Sequence, residues 1–194
     1  MFNKYRNLLL GIFVVLFSAL LFLANTTFAA RQKSSVLNVY ENKAATTYDA
    51  DLDKIVNSEL QRRLEGLYVE LDSDYYRHIL KRVYKAETLS EREMINLVKD
   101  SGADYFIYLE LKPLVLKDYD HVLYYHKAAA STVFMWIIDL NNKHTLYKDY
   151  ITLGYRDVTG GGLFYSIGNK SVSKKALTAT MYKVGEYITV KMPL

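Results

Sequence analysis

The chain of 194 residues contains no cysteine. That absence excludes a disulfide framework, a thiolate metal site and a lipid-modified N-terminal cysteine. Proline is scarce, with two in all, and no low-complexity linker or internal repeat divides the chain. Charge of one sign is lacking too: 25 basic residues face 21 acidic ones. They are interspersed, which argues against nucleic acid as a partner. No short catalytic motif is present. Gly160-Gly161-Gly162 and the residues after it superficially resemble a phosphate loop, but Asn169 stands between Gly168 and Lys170, and Leu163, Phe164 and Tyr165 interrupt the strand-loop-helix context. The expected role of that stretch is a connection to the last helix, with Phe164 and Tyr165 available for contact.

What is present begins with the N-terminus. Lys4 and Arg6 precede an uncharged run over residues 8–24, and Thr27, Phe28 and Ala29 follow with the small side chains that a signal peptidase needs. The run is slightly shorter than the about 20 residues of a comfortable membrane span. Residues 1–29 are therefore expected to be a secretory signal cut near Ala29, with residues 8–24 as a membrane anchor if the cut does not occur. Removing Lys4 and Arg6 with the signal lowers the net charge from +4 to +2. Residues 30–194 are long enough to bury about two-thirds of the unfolded surface as one domain.

Along that domain, residues 36–40 alternate as a strand, and residues 52–64 carry Leu52, Ile55, Val56, Leu60 and Leu64 at helical spacing. Gly66 closes the helix, and a strand over 67–71 follows. Asp72 or Ser73 caps a second helix with Tyr76, Ile79, Leu80 and Val83 on one face. Ser90 and Glu93 form a capping box for a third helix, with Leu89 placed to staple onto Met94. Residues 104–111 read as a central strand closed by Pro113. Residues 131–140 and 145–153, joined by Asn141-Asn142-Lys143, read as an antiparallel hairpin, and a last helix runs over about 172–189 with Leu177, Met181, Val184 and Ile188 inward. The order β-α-β-α-α-β-β-β-α gives a single α/β domain, layered as three. Its mixed sheet is parallel in the first half, extended by an antiparallel C-terminal hairpin, and packed by about four helices.

The stretches SVLNVYENKAATT, RRLEGLYVEL, VKDSGADYFIYLEL and VFMWIIDLNNKHTLYKDY together resemble the extracytoplasmic α/β domain shared by the TolB N-terminal domain, curli-secretion lipoproteins and penicillin-binding-protein activators. The resemblance covers about residues 36–188. It implies a non-enzymatic domain of the bacterial periplasm or cell envelope that works by contact with another envelope protein. The chain departs from those families in having no lipid-anchoring cysteine and no propeller, and no site residue carries over by position.

Candidate chemistry is thin. Residues 117–126 gather Asp118, Asp120, His121 and His126, which suit a hard or borderline metal. On a single strand, however, the two histidines five positions apart point to opposite faces, so the segment reads as a polar loop leading into an edge strand. His78 and His144 lie elsewhere, and Ser166, Ser171 and Ser173 lack a nucleophile elbow. No catalytic residue, cofactor or metal ligand is assigned. Tyrosine is the one compositional excess, with 18. Tyr105, Tyr108 and Tyr187 read as core, whereas Tyr119, Tyr124 and Tyr125 read as candidate partner contacts together with Phe164 and Tyr165. The expected function is a protein-interaction or assembly module. The alternative is a small secreted hydrolase or ligand-binding domain whose site assembles in space.

Overall fold

Among the described residues, four α-helices and six strands form because the apolar residues recur at the spacing each element needs to cover one shared core. The computed structural model describes residues 33–82, 86–121, 124–160 and 168–192. The expected signal segment, and with it the cut at Ala29, lies outside the described residues, as do Phe164 and Tyr165. Strand β1 (Ser35–Asn42) leads into α1 (Asp49–Leu64), β2 (Val69–Leu71), α2 (Asp74–Arg82), α3 (Glu91–Val98), β3 (Tyr105–Leu111), β4 (Val115–His121), β5 (Tyr124–Asp139), β6 (His144–Gly160) and α4 (Asn169–Lys191). Ser34–Leu194 form one compact unit.

Local chemistry sets the element ends. Gly66 takes φ of 78° after α1, and the amides of Leu67 and Tyr68 then donate back to the Leu64 carbonyl. Asp72 Oδ1 accepts from the Asp74 amide at the start of α2. The capping box of α3 is complete: the Ser90 amide donates to Glu93 Oε2 at 2.8 Å, and the Glu93 amide donates to Ser90 Oγ at 3.3 Å. Beyond α3 a single 3-10 turn ends at Gly102 with φ of 71°.

The sheet is mixed, as expected. β1 runs parallel to both β2 and β3; β5 runs antiparallel to β3, β4 and β6. Alternation then divides the side chains into two layers. On one face Ile107, Leu109, Val133, Met135 and Ile137 meet Leu52, Val56 and Leu60 of α1 and Leu177, Met181, Val184 and Ile188 of α4. On the other, Leu37, Val39, Phe106, Tyr108, Phe134 and Trp136 meet Leu80 of α2 and Met94 and Val98 of α3. Tyr108 is fully buried and Tyr105 nearly so, as their apolar surroundings in the sequence imply.

Three expectations need correction. β2 is only three residues long and starts at Val69 rather than 67, because Leu67 and Tyr68 are held in the closing turn of α1. The stretch read as a polar loop is a strand, β4, paired with β5 from Val115↔Ala130 to His121↔Tyr124. The hairpin is also far longer than residues 131–153: β5 has 16 residues and β6 has 17, so Thr159 and Gly160 belong to β6 rather than to the glycine-rich connection.

Candidate interaction surface

β5 has β6 on one side along its whole length. Its other side is shared end to end, by β3 against Val133 to Asp139 and by β4 against Tyr124 to Ala130. The second half of β5, with β4 and the second half of β6, is therefore a three-stranded arm extending past the end of β3. Its residues come from a segment with few β-branched side chains, Lys127-Ala128-Ala129-Ala130-Ser131. Small side chains suit the site because α4 lies directly against it: Ala129 is buried with Val172 and Ala176, and Tyr155 packs against them. Lys175 of α4 donates to Asp157 Oδ2 at 3.0 Å and to the Tyr155 hydroxyl at 3.1 Å, and these bonds to Asp157 and Tyr155 raise its pKa.

The opposite face of the arm carries no described apolar cluster. Register places Val115, Lys117 and Tyr119 of β4 beside Ala130, Ala128 and His126 of β5, and these beside Gly154, Arg156 and Val158 of β6. Val115 is 52% exposed and Tyr119 43%. The floor between them is made of Ala128, Ala130 and Gly154, and the resulting trough of about 360 Å³ is walled by Val115, Lys117 and Arg156. The Arg156 guanidinium lies 5.9 Å from the Tyr119 ring centre. Gly154 keeps the floor low without any backbone requirement for glycine, since a Cβ there meets only the Ala129 carbonyl oxygen at 3.7 Å.

Of the predicted contacts, Tyr119 stands on this face opposite His126. Tyr124 and Tyr125 are the first two residues of β5, opposite His121 and Asp120, and their side chains fall outside the description. The one-strand argument about His121 and His126 does not apply, because they lie on two different strands, β4 and β5. Among the described residues no group of three or more ligating side chains assembles. Ser173, one of the serines near the glycine-rich stretch, is fully buried with its hydroxyl 3.0 Å from that of Tyr48.

A second polar feature was not anticipated from the sequence. Glu41 and Glu110 are register partners at the C-terminal ends of β1 and β3. Glu110 is 1% exposed and accepts from Lys43 Nζ at 2.9 Å, Lys112 Nζ at 2.5 Å and the Tyr108 hydroxyl at 2.8 Å. Lys112 also pairs with Glu87. Burial pushes the Glu110 carboxyl up, but the hydrogen bonds from Lys112, Lys43 and Tyr108 outweigh it and hold the group below the usual range. The same site raises Lys43 and Lys112, where burial acts downward and the Glu110 contacts prevail. The signal in the sequence is a repeated Glu-x-Lys, Glu41-Asn42-Lys43 and Glu110-Leu111-Lys112, at the ends of two strands. Beside it a crevice of about 550 Å³ opens between α1 and α2, lined by Asp53, Asn57, Arg77 and Lys81.

No family model matches the chain, and no curated protein matches it. Solved structures are similar to it. A hypothetical protein from Chlamydia trachomatis aligns with a TM-score of 0.47 and 10% identity, over 81% of this chain and 99% of that one. A lipoprotein from Neisseria meningitidis aligns with a TM-score of 0.42 and 11% identity, over 79% and 99%. TolB from Acinetobacter baumannii aligns with a TM-score of 0.40 and 11% identity, over 81% of this chain and 27% of TolB. TolB also belongs to the group that the sequence resembles.

Proposed function

We propose that the domain is a non-enzymatic module of the bacterial cell envelope that docks on another envelope protein through the open face of the β4–β5–β6 arm. The observation that carries this reading is the contrast between the two halves of one sheet face. Where β5 meets β3, Phe134 and Trp136 are buried beneath α2 and α3; where it meets β4, the same face presents Val115, Tyr119 and an alanine and glycine floor. Exposed tyrosine and arginine around a shallow apolar floor are the composition of a contact surface rather than of a catalytic pocket. Lys117 and Arg156 on its walls select a partner that brings an apolar side chain flanked by carboxylates. Tyr124, Tyr125, Phe164 and Tyr165 remain proposed partner contacts in this reading.

Photo-crosslinking in intact cells, with a photoreactive residue in place of Tyr119, tests it. One discrete adduct is expected. Gly154→Leu fills the trough without backbone strain, so it is expected to keep the fold and abolish the adduct. A chain that gives no adduct, or an adduct indifferent to Gly154→Leu, refutes the assignment. The crevice beside β1, where polar groups converge, favours the ligand-binding form of the second reading.

A further inference from the structure

We infer that the outer edge of β1 is a binding site for an extended peptide carrying an acidic side chain, which adds to the sheet as a short strand between α1 and α2. This site is distinct from the arm and stands whether or not the arm docks on a protein.

The main chain provides the first part of the argument. β1 is paired with β3 from Val36 to Asn42, but β2 covers its other side only from Ser35 to Leu37. Among the described residues, 38–42 have no strand beside them on that edge. The direction of the free groups follows from alternation. The Ser35 carbonyl accepts from the Asp104 amide and the Lys43 amide donates to Leu111, so odd residues address β3; the Ser34 carbonyl accepts from Val69, so even residues address the β2 side. The amides and carbonyls of Asn38, Tyr40 and Asn42 therefore face the open edge. Five residues of strand span about 17 Å, and an unpaired stretch of that length is a template for an added strand.

The side chains provide the second part. Two hollows of about 450 and 550 Å³ follow this edge and share Asn57 of α1. Most of their polar groups are already engaged: Asp53 Oδ1 accepts from Tyr40 at 3.0 Å and from Asn42 at 2.7 Å, and Lys43 is held by Glu110. Three buried atoms there, among the described residues, are not. Glu41 is 7% exposed and its Oε1 has no hydrogen-bond partner; Asn38 Oδ1 and Arg77 Nε are likewise buried and unpartnered. The remaining contacts of Arg77 are long, 3.4 Å to Asp74 and 3.5 Å to Ser73. Each buried group without a partner is unfavourable, so a ligand that supplies one is favoured.

The two orphan acceptors call for N–H donors, which a peptide main chain provides. The orphan donor on Arg77, with Lys81 one turn further along α2, calls for a carboxylate. Only an extended peptide with an acidic residue meets both demands while also pairing with the β1 edge.

The test selects from a random heptapeptide phage library on the purified full chain, then titrates the enriched sequence, synthesised with a fluorophore, by anisotropy. Enrichment of Asp or Glu is expected, and the Asn38, Tyr40 and Asn42 amides should gain protection from hydrogen exchange when the peptide is bound. Arg77→Gln should weaken binding about tenfold or more. Lys81→Glu, at an exposed position that cannot disturb the core, should do the same with unchanged thermal unfolding. Gly154→Leu should leave peptide binding intact, which separates this site from the arm. No enrichment, enrichment without acidic residues, or binding that survives Lys81→Glu overturns the inference.

Discussion

Glu110→Gln isolates the energetic centre of the fold. The carboxylate is 1% exposed; Oε2 accepts from Lys43 and Tyr108, and Oε1 accepts from Lys112. An amide of the same shape keeps one acceptor oxygen and presents two N–H donors where a second acceptor is needed. Each lysine keeps its charge, so its bond to an amide oxygen stays charge-assisted; the attraction to the carboxylate is what is lost, about 1 kcal/mol at each lysine. Facing an N–H group toward Lys112 adds a further penalty, reduced because Lys112 still reaches Glu87 and because Lys43 is 39% exposed to water. The sum is about 2–3 kcal/mol at pH 7. For a domain of this size that corresponds to a fall in Tm of about 5–10 °C.

The pH dependence is the sharper readout. A carboxyl whose pKa is lower in the folded state stabilises the fold fully above its unfolded value, and that contribution disappears as pH falls through the folded value. Urea unfolding at pH 7, 5 and 3 should therefore show the gap between parent and variant wide at pH 7 and narrowing at pH 3. A gap below about 0.5 kcal/mol at pH 7, or one equally wide at pH 7 and pH 3, refutes the account of the cluster.

Two further predictions rest on other parts of the molecule. Gly185 of α4 lies where a Cβ would overlap Glu59 Oε1 and Arg63 Nε of α1. These are flexible side-chain ends, so Gly185→Ala should be within about 1 kcal/mol of the parent, the gain in helix propensity offsetting the disturbed ion pair, whereas Gly185→Leu should cost about 1–3 kcal/mol; denaturant unfolding of both variants checks this, and equal costs would contradict the close packing of the two helices. At the N-terminus, the intact mass of protein recovered from cells should correspond to a chain starting at Ala30, and a full-length mass with the protein in the membrane fraction would show residues 8–24 retained as an anchor.

Elements specified by neighbouring residues were legible in the sequence, and those specified by distant ones were not. The α3 capping box needs only Ser90 and Glu93, and the buried faces of α1 and α4 need only their own spacing. β4 was missed because Lys117, Asp118 and Asp120 break the apolar alternation, and its pairing with β5 depends on a face that no described helix covers. The early start of β5 was hidden by three alanines, whose poor strand propensity is overridden by pairing on both sides and by Val172 and Ala176 of α4. The exposure of Tyr119 was recognisable from its charged surroundings. The trough beside it was not, because its floor consists of side chains that are small or absent, brought together by register from β5 and β6.

The long last helix connects these features. α4 has 23 residues, about 35 Å of helix, so one rigid rod packs Leu177, Met181, Val184 and Ile188 into the main core and Val172 and Ala176 against the arm. Three strands need a hydrophobic face or a helix packed against them to be stable in water. Supported from one side by a helix that is anchored elsewhere, the arm holds its other face in a fixed shape without that face needing a cover of its own. In the proposed docking, a partner that meets Val115, Tyr119 and the low floor meets a surface that is already ordered. Little of the binding energy goes into arranging it, and a trough of modest depth is enough for a specific contact.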